Sequence, residues 1–211
     1  MRTIALYTTE TMADWEYAYL TTQIVGAEQL KPGRFRLLLV GDGLEPVRTL
    51  GNLPLRPEAD LDTLQALADD GSLAALVIPG GDHYEAGHDR LIEAVGRLVD
   101  QEIPVAAICG ATLLLARSGF LDERRHTSNA APYLEASGYR GGTHYAETPV
   151  VTDRGVTTAS GIHAIPFTAE VMRITGLVPD AMAHAWEQVF LSAREDDYMA
   201  LMEATATWQN S

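Results

Sequence analysis

The only cysteine of the chain, Cys109, stands where an apolar run ends and a helical pattern begins. The run Val105–Ile108 predicts a buried strand, and Ala111–Arg117 predicts a helix. A thiol at this turn lies at the carboxyl end of the strand and faces the positive N-terminal end of a helix, which favours the thiolate. A thiolate can attack a carbonyl-like carbon, so we predict that Cys109 is a nucleophile. The alternative is a small apolar residue of the core.

Glycines follow two of the predicted strands. Gly110 comes directly after the cysteine, and Gly80-Gly81 follow the apolar run Leu73–Ile78. Glycine permits a positive φ and the close approach of a ligand to the backbone. A bare backbone N–H can also stabilise a developing oxyanion. We therefore predict that Gly81 and Gly110 are oxyanion donors, and the alternative is that the glycines only form tight strand-to-helix turns.

Two carboxyl groups, Asp14 and Glu16, stand at the start of the first predicted helix. If Glu16 is buried near the sulfur, its protonated form donates a hydrogen bond to the thiolate, and its ionised form acts as a base. Asp14 is predicted to cap the helix. The alternative for Glu16 is a carboxylate that only stabilises the N-terminus of the helix.

The histidines do not form a recognisable metal motif. None of the six has the i, i+4 spacing of a helical metal pair, and only one cysteine is present, so no metal site and no cofactor are predicted. His126 and His163 lie in segments that can flank the strand ends. His184 belongs to a predicted helix and is interpreted as structural.

The composition excludes several classes of partner. With 29 acidic against 15 basic residues, the formal net charge is −14, so nucleic acid and anionic membranes are not expected as partners. A single cysteine excludes an internal disulfide. No apolar run reaches the roughly 20 residues that span a bilayer. The first residues are too short in their apolar part for a signal peptide, and a cytoplasmic protein is expected.

Short apolar runs alternate with helical patterns, which predicts an α/β protein with a mainly parallel sheet covered on both faces. Strands are predicted at 4–7, 36–40, 73–78 and 105–108, and helices at 15–30, 61–68, 91–99, 111–117, 165–174, 180–191 and 194–206. Segment 47–55 predicts edge structure, and 147–158 predicts a hairpin that turns at Asp153-Arg154-Gly155. Ligands of such sheets bind at the carboxyl ends of the strands.

Together these features resemble the ThiJ/PfpI superfamily, the class I glutamine amidotransferase-like proteins. The resemblance covers about residues 4–175 and rests on four blocks: Ile78–Asp82, Ala107–Ala111, Leu121–Arg125 and Thr158–Gly161. It implies a flavodoxin-like three-layer sandwich with a small β-hairpin, and a homodimer or larger assembly. We expect one such domain over 1–211, with 177–211 as a C-terminal helical extension. By this resemblance, Cys109 matches the elbow nucleophile, Glu16 its acidic partner, and Gly81 and Gly110 the oxyanion positions.

The chain also departs from the pattern of the superfamily. Protease-like branches place a histidine directly after the cysteine, where this chain has Gly110, and other branches place one where it has Asn129. Asparagine orients or donates a hydrogen bond but takes no proton. His126 is expected to point to the opposite face of an extended segment. Asn129, His163 and Asp14 are the predicted supporting residues.

Two functions are therefore predicted. The first is a cysteine-dependent hydrolase or lyase of an unidentified small molecule; reactions of the superfamily include amide hydrolysis, glyoxalase-type hydration of 2-oxoaldehydes and isonitrile hydration. The missing histidine weakens peptidase chemistry most, because an amine leaving group needs a general acid. Glutaminase chemistry is not expected either, because no downstream His-x-Glu is visible. The second is a redox or electrophile stress sensor, or a binding scaffold, whose thiol stops at sulfenic or sulfinic acid.

Overall fold

A seven-stranded sheet forms the centre of the structure, a computed structural model that describes residues 1–211. The chain contains nine strands: β1 (Arg2–Tyr7), β2 (Phe35–Gly41), β3 (Val47–Arg48), β4 (Pro54–Leu55), β5 (Ala59–Asp60), β6 (Leu73–Ile78), β7 (Val105–Ile108), β8 (Val150–Asp153) and β9 (Val156–Ala159). Seven form the sheet in the order β5-β2-β1-β6-β7-β9-β8, and only β8 runs antiparallel to its neighbour. β3 and β4 form a separate antiparallel pair.

Helices cover both faces of this sheet. They are α1 (Asp14–Leu30), α2 (Leu61–Asp69), α3 (Asp89–Asp100), α4 (Ala111–Arg117), α5 (Ala131–Glu135), α6 (Ala164–Thr175), α7 (Asp180–Ser192) and α8 (Glu195–Gln209), with a short 3-10 turn at Gly142–His144. Each face of the sheet carries an apolar core. On one face, helices α2, α3, α4 and α5 pack with Leu76 of β6, and on the other face helices α1, α6, α7 and α8 pack with the next residue, Val77. The three-layer, flavodoxin-like prediction is confirmed.

The two central strands explain why the sequence predicts the sheet well. Every residue of β6 and β7 is buried, because helices pack on both faces of these strands. Such strands read as continuous apolar runs rather than as alternating patterns. These parallel strands and their neighbours β1 and β9 all end at the same edge of the sheet. The loops that follow the four strands therefore lie side by side and carry the residues of the site.

Several boundaries differ from the prediction at the edges of the fold. Segment 47–55 forms the β3–β4 pair beside the sheet, and the edge hairpin begins at Val150 rather than Glu147. The two-residue strand β5 and the five-residue helix α5 were not predicted, because so few residues show no periodicity. α7 and α8 contribute the buried Trp186 and Trp208 to the core, and the division into one domain with a helical extension stays a prediction.

The prediction that Asp14 caps its helix is wrong. α1 begins at Asp14 itself, after Ala13, and no side chain caps its first turn. The Asp14 carboxylate instead accepts hydrogen bonds from the Gly51 N–H at 2.7 Å and from the Tyr17 hydroxyl at 3.3 Å. It therefore anchors the loop between β3 and β4 to α1. No helix of the structure combines the length and the apolar character needed to cross a bilayer.

Candidate active site

Cys109 sits in a strained turn between β7 and α4. Its φ of +58° lies in the left-handed region, which a residue with a side chain rarely adopts and which stores energy of order 1–3 kcal/mol. Its N–H donates to the Ala159 carbonyl at 2.9 Å, and its carbonyl accepts from the Thr112 hydroxyl at 2.6 Å. These bonds hold the turn, so the half-buried thiol stands at the carboxyl edge of the sheet.

Glu16 reaches this thiol from the first turn of α1. The side chain is completely buried, and Oε2 accepts a hydrogen bond from the Gly80 N–H at 2.6 Å. Oε1 is buried and has no hydrogen-bond partner of ordinary geometry. A Cβ added at Gly161 would lie 2.7 Å from the Cys109 Sγ and 2.8 Å from Oε1, so both atoms border the same small space. The structure therefore brings the thiol and the carboxyl together.

Asn129 approaches the sulfur from a third direction. Its Oδ1 accepts the Gly161 N–H at 2.9 Å, and its Nδ2 donates to the Cys109 Sγ at 3.3 Å. Because a backbone N–H can only donate, Gly161 fixes the orientation of the amide and directs the NH2 group to the sulfur. The Gly161 carbonyl accepts from the Trp15 indole at 2.9 Å, which ties this loop to α1.

The two predicted oxyanion glycines, Gly81 and Gly110, lie in contact with each other. Glycine is needed at Gly110 because of this close contact, and not because of a positive φ as predicted. Gly110 has an ordinary φ of −56°, so it does not need the conformational freedom of glycine. A Cβ at Gly110 would lie 2.5 Å from the Gly81 carbonyl oxygen and 3.1 Å from the Gly81 nitrogen. The Gly81 N–H donates to no backbone group of the chain, and the Gly110 N–H lies close enough to the Cys109 thiol to lower its pKa. Their role as oxyanion donors stays a prediction.

Burial dominates the electrostatics of the thiol and the carboxyl. It raises the pKa of Glu16 to about 7, while hydrogen bonds with Gly80 and Cys109 act in the opposite direction. Burial, followed by the negative charge of Glu16, raises the pKa of Cys109 to about 11, against the hydrogen bonds from Asn129 and Gly110. The expectation of a lowered thiol pKa is therefore wrong. α4 has only seven residues, and its N-terminus does not outweigh burial beside a carboxyl group.

Cys109 and Glu16 titrate as a pair. A proton that moves from Sγ to the carboxylate removes the negative charge that opposes the thiolate. The thiolate is then accompanied by a neutral carboxyl that can donate a hydrogen bond to it, and by the donor NH2 of Asn129. The pair can thus form a nucleophile without a histidine.

No histidine bonds to this pair. His126 is completely buried, and its ring nitrogens contact the Arg124 carbonyl at 2.7 Å and the Tyr139 hydroxyl at 3.0 Å, so it is structural. His163 lies at the start of α6 and lines a cavity of about 510 Å³ together with Asn129. Its Nδ1 is buried without a hydrogen-bond partner. The supporting role of His163 stays a prediction.

Known proteins share both the sequence pattern and this fold. The model of the DJ-1/PfpI family matches residues 2–174. The chain belongs to the DJ-1/PfpI family. It is 33% identical over 207 residues to "Uncharacterized protease YoaZ" of Bacillus subtilis, which covers 95% of this chain and 96% of that protein.

Solved structures of the DJ-1/PfpI superfamily superpose on nearly the whole chain. A thiJ/pfpI family protein from Bacillus anthracis has a TM-score of 0.84 and 30% identity, with 97% of this chain and 98% of that chain covered. A DJ-1 superfamily protein from Agrobacterium tumefaciens has a TM-score of 0.78 and 33% identity, with 92% and 99% covered. The predicted superfamily is thereby confirmed.

The roles of two glycines at this site were not predicted from the sequence, although Gly80 was named there beside Gly81 as a glycine that follows a strand. Gly161 has no side chain that would collide with the Cys109 sulfur and the Glu16 carboxyl, and its N–H orients the Asn129 amide. The Gly80 N–H donates to the Glu16 carboxyl, and the missing side chain of Gly80 leaves room for Cys109. Both residues stand in the sequence blocks that carry the family resemblance. The available signal was a glycine within a few residues of the end of a predicted strand or of the start of a predicted helix.

Proposed function

We propose that the protein is a cysteine-dependent hydrolase or lyase of a small molecule, in which the Cys109 thiolate attacks a carbonyl-like electrophile. The observation that carries this proposal is the pairing of a strained, half-buried thiol with a completely buried carboxyl group, Glu16. A structural cysteine needs neither a left-handed backbone nor an acidic partner. Strain and perturbed pKa values concentrate at functional sites.

The first step transfers a proton and forms one bond. The Sγ proton moves to Glu16 Oε1, and a sulfur lone pair then bonds the electrophilic carbon. The π pair of the C=O bond moves to oxygen, where the N–H groups of Gly81 and Gly110 stabilise the negative charge. Glu16 holds the proton and returns it to the oxygen or to a leaving group in the next step.

The absence of a bonded histidine separates the candidate reactions. Amide cleavage requires a proton for the amine leaving group, and Glu16 is the only group in contact with the sulfur that can supply it. Addition to a 2-oxoaldehyde or an isonitrile releases no amine, so these additions suit the site better. A redox or electrophile sensor is the alternative use of the same thiol; it would stop at sulfenic or sulfinic acid and release no product.

Turnover by matched variants tests the proposal. On a panel of amides, 2-oxoaldehydes and isonitriles, we expect activity on at least one class. Cys109→Ser should lower that activity by at least about 100-fold, because the hydroxyl is a far weaker nucleophile beside the same carboxyl group. Glu195→Gln, on the exposed start of α8, serves as the control and should keep full activity. Unchanged turnover by Cys109→Ser would contradict the proposal.

A further inference from the structure

A cavity lies next to Asn129, and Cys109 itself is not among the residues that line it. It has a volume of about 510 Å³ and is lined by residues from three segments, 127–132, 145–149 and 160–163, the first of which includes the start of α5. Asn129 belongs to this lining and also donates to the Cys109 Sγ at 3.3 Å. A substrate bound through its electrophilic carbon at the sulfur therefore has room for a substituent in this cavity.

Most polar side chains of the cavity already have partners within the protein. The hydroxyls of Thr127 and Thr148 donate to backbone carbonyls, that of Ser128 bonds Thr112 at 2.7 Å, and that of Tyr145 donates to the Ser128 carbonyl. Both ends of the Asn129 amide are occupied as well. These groups shape the cavity and are not available to bind a substituent.

Three lining side chains have no hydrogen-bond partner: Glu147, Ser160 and His163. The Glu147 carboxylate forms no ion pair, and the lining contains no lysine or arginine. The lining thus offers an uncompensated negative charge and a hydroxyl oxygen as acceptors.

We propose that this cavity is the subsite for a primary ammonium group carried by the substrate of Cys109, a proposal that rests on the proposed function. An ammonium has a positive charge and three N–H donors, which match the Glu147 carboxylate and the Ser160 hydroxyl oxygen. A carboxylate or a phosphate would be repelled by Glu147 and would find no cation in the lining. The substrate is therefore an amine-bearing carbonyl or related electrophile.

Thiol-specific reagents with different charges test the subsite without knowledge of the substrate. We would measure Cys109 modification at pH 7 by three methanethiosulfonates that carry a 2-ammonioethyl, a 2-hydroxyethyl or a 2-sulfonatoethyl group. In each reaction the thiolate forms a mixed disulfide and methanesulfinate leaves. The rate of Cys109 modification by each reagent is divided by the rate at which the same reagent modifies free 2-mercaptoethanol, so that differences in intrinsic reactivity between the reagents cancel. The wild type should prefer the ammonium reagent over the hydroxyethyl reagent.

Variants of Glu147 decide the outcome. Glu147→Gln should lower the preference for the ammonium reagent by about two- to fivefold, the effect of one exposed ion pair. Glu147→Lys should shift the preference towards the sulfonate reagent. The control Glu195→Gln removes the same charge from α8 and should leave the preference unchanged.

The two proposals fail in different ways. If Cys109 does not react with the neutral hydroxyethyl reagent, the proposed function is contradicted. If it reacts, but Glu147→Gln and Glu195→Gln change the charge preference equally or not at all, the subsite proposal alone is contradicted. The side chain of Glu147 is exposed and bonds to nothing, so its replacement leaves the fold intact.

Discussion

At the scale of single residues, the site depends on one proton shared between Cys109 and Glu16. Burial opposes ionisation of both groups, and the negative charge of Glu16 further opposes ionisation of Cys109, whereas the hydrogen bond with Cys109 favours the ionised form of Glu16. Asn129 adds a hydrogen-bond donor where related branches are expected to have a histidine. The residue that manages the proton is therefore the carboxyl group and not an imidazole.

The buried carboxyl group predicts a characteristic dependence of stability on pH. The pKa of Glu16 is raised from its ordinary value of 4.5 to about 7 in the folded state, so the folded state binds an extra proton between these two pH values. Stability must then fall as pH rises through this window, by an amount of order 3 kcal/mol from this group. Denaturant unfolding of Glu16→Gln should lack this contribution.

The comparison of the two proteins isolates Glu16 from all other titrating groups. Between pH 4.5 and pH 7 the wild type should lose stability relative to Glu16→Gln. Above pH 7 the difference between the two unfolding free energies should level off. Curves that stay parallel across the whole window would show that Glu16 titrates like a solvent-exposed carboxyl.

At the scale of elements, the loops that follow β6 and β7 approach each other so closely at the site that only glycine fits between them. A Cβ at Gly110 would lie 2.5 Å from the backbone oxygen of Gly81, an atom that cannot move without displacing the loop after β6. Gly110→Ala should therefore cost about 1–3 kcal/mol of stability and should separate the two N–H groups. Thermal unfolding and the rate of Cys109 alkylation would measure the two effects.

A second glycine provides the matched control for this substitution. Gly26 lies within α1, and a Cβ there would meet nothing within 4 Å. Gly26→Ala should raise stability by roughly 0.5–1 kcal/mol, because alanine is a better helix former. Equal stability changes of the same sign in both variants would contradict the steric account of Gly110.

The elements also show what the sequence could and could not predict. The continuous apolar runs of β6 and β7 predicted the buried strands, and with them the edge at which Cys109 and Gly81 lie. The direction of the thiol pKa shift could not be predicted, because it depends on burial and on the distance to Glu16. The prediction that Asp14 caps α1 was wrong because a contact distant in the sequence decides the position of this side chain: the Gly51 N–H donates to the same carboxylate.

At the scale of the whole molecule, we propose that two copies associate. Trp15 is 49% exposed and Ile162 is 85% exposed, and the Trp15 indole bonds the residue that precedes Ile162. Exposed apolar side chains clustered beside one loop are typical of an interaction surface. Sedimentation equilibrium should give twice the 22.9 kDa of one chain, and a mass of 22.9 kDa at micromolar concentration would contradict the dimer.

The central claim is that Glu16 accepts the proton of Cys109 and so controls the reactivity of the thiol. The most direct measurement is the rate of Cys109 alkylation by iodoacetamide between pH 5 and pH 11, followed by mass spectrometry on the wild type and on Glu16→Gln. Because Cys109 is the only cysteine, every alkylation event reports on this site. We expect the wild-type rate to rise with an inflection near pH 7, where Glu16 ionises, and the variant to lack that inflection. Identical pH profiles for the two proteins would contradict the account.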